Sequence, residues 1–99
     1  MATTERWVEY VAEPVNADGD IIDPDFADSL EQTRARVPHM MAQFPDAVYV
    51  DVAKVFNVGN EDDGIADRRY AYIDRTYRDG RVVRLKSISG PSREPVEVR

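Results

Sequence analysis

The sequence contains no cysteine and only one histidine in 99 residues. Without cysteine there is no disulfide framework, no thiol nucleophile and no thiolate-held zinc or iron–sulfur centre, which removes several enzyme classes at once. The lone His39 stands beside Met40 and Met41, with no serine, cysteine or carboxylate spaced to make it a catalytic base, and reads as a helix-surface or half-buried residue. Long apolar runs are missing too. Met1 to Arg6 carry no apolar segment of the signal-peptide kind, and no run approaches the roughly 20 residues of a membrane helix, so a cytoplasmic chain without membrane association is expected. No metal or cofactor fingerprint is present, and none is expected to be bound.

What is there suits one domain. The length allows a single modest core, and 42% hydrophobic with 32% charged residues is the balance of a globular chain rather than a disordered one. The net charge of -6 hides an asymmetry: residues 1–67 hold fifteen acids and four bases, whereas residues 68–99 hold nine bases and four acids. Overall acidity disfavours broad nucleic-acid binding, which needs clustered lysine and arginine. It leaves open a local basic surface for an anion and an acidic surface for a basic partner.

The only helical pattern runs from Phe26 to Phe44, where Phe26, Leu30, Val37, Met40, Met41 and Phe44 recur at a spacing of three to four. Asp28 with Glu31 three residues later has capping-box spacing, and Pro38 predicts a kink or a restart. Before it, Arg6 to Val15 alternate as a strand, with Val8, Tyr10 and Ala12 expected to face the core because the other side carries Glu9 and Glu13. A polar loop, residues 16–20, then leads to a short second strand at Ile21 and Ile22. After the helix, Ala47 to Val58 is the strongest strand signal, and Arg68 to Tyr77 with Val82 to Ile88 flank Asp79-Gly80, the favoured two-residue hairpin turn. That turn predicts Arg75 opposite Arg84 and Ile73 opposite Lys86. The expected fold is α+β, an antiparallel sheet of about five strands in the order β-β-α-β-β-β, with one bent amphipathic helix on one face and the other face at least partly open. Residues 1–88 form the domain, and residues 89–99, with two prolines, form a loose or edge-packing tail.

Three groups of residues bear on function. Asn16, Asp18 and Asp20 match the first ligand positions of a calcium loop, but Ile21 stands where its glycine belongs and Ala27 where its glutamate belongs, so an ordinary acidic turn is the better reading. With Glu61, Asp62, Asp63 and Asp67, Asp18 and Asp20 supply an acidic interaction surface for a basic protein partner. On the expected register, Arg69, Arg75, Tyr77, Arg84 and Lys86 share the solvent face of the hairpin. Like charges opposed there call for compensation, by the protein's own carboxylates first and by a bound anion or nucleic acid second, with Tyr77 available to stack on a base. Catalysis by paired carboxylates would require a concave pocket.

In size, acidity and lack of motifs the chain resembles the small accessory proteins of phages and mobile elements, including anti-CRISPR proteins and other inhibitors of host systems. That resemblance implies a non-enzymatic module acting by protein–protein interaction, with nucleic-acid or anion binding by the hairpin as the alternative. An exposed edge strand leaves a homo-oligomer open.

Overall fold

The computed structural model describes residues 4–60, 62, 64–87 and 95–98. Its elements are β1 (Glu5–Asn16), β2 (Asp25–Ala27), α1 (Leu30–Gln43), β3 (Ala47–Asn60), β4 (Gly64–Tyr77), β5 (Val82–Ser87) and β6 (Pro95–Glu97). The fold is α+β as expected, with one helix on a six-stranded antiparallel sheet in the order β2-β1-β3-β4-β5-β6. The sixth strand comes from the tail, where residues 95–97 pair with β5. Among the described residues no helix is long and apolar enough to cross a membrane.

The helix starts later than its apolar spacing suggests. Ser29 is its N-cap, with Oγ accepting from the Gln32 amide at 3.1 Å, while Phe26 belongs to β2 and pairs with Val11. Ser29 and Gln32 stand in the S-x-x-Q order of a capping box, a better match than Asp28 and Glu31. Ile21 makes an isolated bridge to Val15, so the second strand lies at residues 25–27 rather than at Ile21 and Ile22. The helix does not restart: α1 runs from Leu30 to Gln43 without a break through Pro38, which lies on its exposed side. On the exposed side the missing amide costs least, because the freed Arg34 carbonyl is open to solvent there.

Two cores lie on opposite faces of the sheet. Under α1, Val37 and Met40 pack on Ala12, Val50 and Val52, with Leu30, Met41, Phe44 and Ile73 around them. On the other face Val11, Ala53, Val55, Tyr72 and Leu85 are buried, with Phe26 and Tyr70 packed against them. The face of β1 that carries the glutamates is thus buried around Val11 to Val15, while Val8, expected in the core, is exposed. Alternation misassigns this strand because both of its faces are covered along the same stretch.

The β4–β5 turn also differs from the expected one. The Tyr77 amide donates to Arg81 O and the Gly80 amide to Tyr77 O, and of Asp79 and Gly80 only the glycine has positive φ, +92°. This is a three-residue loop closed by a glycine bulge, not a two-residue type I′ turn. The register slips by one: Arg75 faces Val83, and Arg84 faces Asp74. A second irregularity, where Val52 faces Asp74 but Ala53 faces Tyr72, inserts Ile73 as an extra residue in β4. Arg75 therefore shares a face with Tyr72 instead of opposing it. Arg78 closes this end of the fold, donating to the carbonyls of Met41, Phe44 and Ala47 and so capping the end of α1 with a cation.

Candidate functional site

A cleft and a helix-free arm

On the face away from α1, β1, β3 and β4 set their side chains in cross-strand rows: Glu13, Asp51 and Arg75 form one row, and Val15, Tyr49 and Tyr77 the next. Glu13 and Asp51 are each only 3% exposed. Arg75 grips Asp51 with two bonds, Nε to Oδ1 at 2.7 Å and Nη2 to Oδ2 at 3.0 Å, and its guanidinium lies 3.8 Å from the centre of the Tyr49 ring. Tyr72 donates its hydroxyl to Glu13 Oε1 at 2.6 Å, and Tyr77 donates to Glu97 across the sheet edge. Glu97 also lies 3.8 Å from Arg75 Nη1.

Burial governs the protonation of this row. It pushes the Asp51 carboxyl above its ordinary range, and the bonds and charge of Arg75 pull it back only in part. For Arg75 burial works in the lowering direction but is outweighed by Asp51, so the guanidinium is held still more firmly as a cation. The Tyr49 hydroxyl is raised by burial. Above the row lies a cleft of about 460 Å³, lined by Glu13, Val15, Gly19, Ile21, Tyr49, Asp51, Tyr72, Arg75 and Pro95.

The opposite face has a different feature. An α-helix of 14 residues spans about 21 Å, whereas a strand of 14 residues spans about 46 Å, so α1 covers only part of β3. The rows it does not reach are Tyr10, Lys54 and Ala71; Val8, Phe56 and Arg69; and Arg6, Val58 and Asp67. Val8 and Phe56 are cross-strand neighbours, 44% and 42% exposed, and the Lys54 ammonium lies 5.1 Å from the centre of the Phe56 ring. Trp7 and Ile65 are exposed on the other face of this arm, in the rows of Asn57 and Gly59. At its end Gly59 approaches Gly64 so closely that a methyl group on Gly59 would overlap the Gly64 carbonyl oxygen.

Where the expected site residues lie

The acidic residues do not form one surface. Asp18 and Asp20 sit in the exposed turn after β1, where Asn16 Oδ1 accepts both of their amides. Asp62 sits in the β3–β4 turn, next to the start of β1, where Glu5 pairs with Gly59. These turns lie at opposite ends of a 12-residue strand, about 40 Å apart. Asp67 pairs with Arg69 at 3.2 Å, and Glu61 and Asp63 lie outside the described residues.

The five hairpin residues are dispersed as well. Arg75 and Tyr77 belong to the cleft face, Arg84 and Lys86 point to the other side of β5, and Arg69 lies on the arm. The charge on Arg75 is compensated from within the chain, by Asp51. His39 is exposed on α1. Glu13, Asp51, Tyr49 and Tyr72, the groups of the cleft, escape a reading by motif. One signal was present: Asp51 interrupts the most β-rich segment of the chain, and an acid amid buried valines needs a buried partner.

No protein-family model, curated protein or solved structure matches this chain, so its function is read from its geometry alone.

Proposed function

We propose that the chain is a binding module that docks on another protein through the helix-free half of its sheet. The observation that carries this reading is the cross-strand pair Val8 and Phe56, exposed on a rigid three-stranded surface that no element of the described fold covers. Large apolar side chains side by side on a regular sheet are what interface cores are made of. In the cross-strand rows beside the pair, the described residues include Arg6, Lys54 and Arg69, with Asp67 paired to Arg69. A partner offering apolar side chains ringed by carboxylates fits this face better than a basic one. The polarity is thus the reverse of what the acidic turns suggest. Docking of this kind blocks whatever else the partner would bind there, the simplest way for a chain without a catalytic motif to act as an inhibitor.

The test is capture of a partner by the immobilised chain, compared with two variants. Phe56→Glu should abolish capture without lowering the melting temperature, since the ring is already half in water. Reversing Asp18 and Asp20 to lysine should leave capture intact. Equal capture by the wild type and Phe56→Glu would sink the proposal, and loss of the captured species on nuclease treatment would replace the protein partner with a nucleic acid.

A further inference from the structure

We propose that the open edge of β1, from Glu5 to Glu9, takes up an extended segment of the partner protein as an added antiparallel strand. The inference rests on the docking reading and gives the partner a shape. In the sheet β1 lies between β2 and β3, but β2 pairs only with Tyr10, Val11 and Ala12. From Tyr10 back to Glu5, β1 stays in unbroken register with β3, and among the described residues no strand pairs with its outer side. A regular strand open along one side is the template for strand addition. The side chains at this edge agree. Trp7 and Val8 are consecutive, so they stand on opposite faces, and both are exposed. A partner laid on one face alone covers Val8 and leaves Trp7 in water, whereas a strand added beyond β1 brings a neighbour to both.

The charges decide which strand fits. Were a second copy to pair here about a twofold axis, centring on Trp7 would set Glu5 against Glu9 of the other copy twice. Centring on Arg6 would oppose two arginines. Centring on Val8 would bring Arg6 to Tyr10, whose outer side Ala27 already holds. Like charges or an occupied edge stand in the way of all three registers, so the edge is guarded against its own kind. A strand of different sequence meets no such conflict. It needs apolar side chains opposite Val8 and Trp7, an acid opposite Arg6 and a base opposite Glu5. Glu9 already accepts from Asn57 Nδ2 at 2.8 Å, and a small polar neighbour suffices there. Read antiparallel from Glu9 to Glu5, the matching segment is Thr-Ile-Val-Glu-Lys.

The experiment is a titration of the whole chain with that peptide, acetylated and amidated at its ends, followed by amide chemical shifts. Beside it runs Thr-Ile-Val-Lys-Glu, which has the same composition with its charges exchanged. Saturable shifts centred on Glu5 to Glu9 are expected with the first peptide, and binding weaker by about tenfold with the second. Exchanging the charges on the protein, Glu5→Arg with Arg6→Glu, should reverse the order of the two peptides. Strand pairing also has its own signature, because only alternate amides of an added strand face its neighbour. N-methylation of one alternate set in the first peptide should abolish binding, and of the other set should spare it. Absence of saturable shifts, equal affinity for the two peptides, an unreversed order in the exchanged variant, or equal effects of the two methylated sets would each overturn the proposal. So would a dimer of the chain alone that Trp7→Glu dissociates, since the edge would then belong to a second copy. Phe56→Glu should leave peptide binding unchanged. Capture of a partner without peptide binding therefore strikes this inference alone, and peptide binding without capture strikes the docking reading alone.

Discussion

Arg75 and Asp51 form a pair in which each side chain is buried and each is tolerable only because of the other. Removing one member leaves an uncompensated charge in a water-poor site, so Arg75→Ala should destabilise the fold by about 3–5 kcal/mol, read as a lower urea midpoint. The same pair sets a pH dependence. The Asp51 carboxyl is raised above 3.8 in the folded chain, so between 3.8 and its folded value the folded state binds more protons than the unfolded one. Its contribution to stability is full below 3.8 and is lost as the pH rises through the folded value. The urea midpoint of the wild type relative to Asp51→Asn should therefore rise on acidification from neutrality toward 3.8 and level off below it. Little of this row was legible in the residues. Alternation in β1 sends Glu13 to solvent, whereas the fold buries it and brings Tyr72 of β4, beyond β3 in the sheet, within bonding distance. Such a partner, 59 positions away, leaves no trace in local spacing.

At the scale of elements, the helix was legible as an existence and misread at its beginning. Phe26 continues the apolar spacing by chance and is claimed by β2, so the boundary is set by the cap and not by the stripe. The two caps can be told apart. Ser29→Ala should cost about 1 kcal/mol through the lost bond to the Gln32 amide, whereas Asp28→Ala should stay within about 0.5 kcal/mol, both by denaturant titration. The hairpin shows the converse. Its place at Asp79-Gly80 was plain, but whether two or three residues make the loop depends on the φ of Asp79, which the dipeptide does not dictate. That one residue decided that Arg75 faces Val83 and not Arg84, while its contact with Asp51 is set by the pairing of β4 with β3.

For the whole molecule, part of the charge asymmetry along the chain is matched internally. Arg68 reaches Glu9, Arg75 reaches Asp51 and Arg34 reaches Asp74, so downstream bases meet upstream acids across β4 and β3, and one downstream acid meets the helix. The outline is elongated, 50 × 27 × 24 Å, because β1, β3 and β4 extend beyond the helix. The placing of β1 has a consequence in time. It lies between β2 and β3 in the sheet, yet β2 and α1 separate it from β3 along the chain, while β3, β4 and β5 follow one another through short turns. Closing the longer loop carries the larger entropic cost, so the β3–β4–β5 meander should assemble first and β1 should join it late, completing both cores in one step. Conservative truncations such as Val55→Ala should then slow refolding, whereas Val11→Ala should act mainly by speeding unfolding, a contrast that stopped-flow chevrons would resolve.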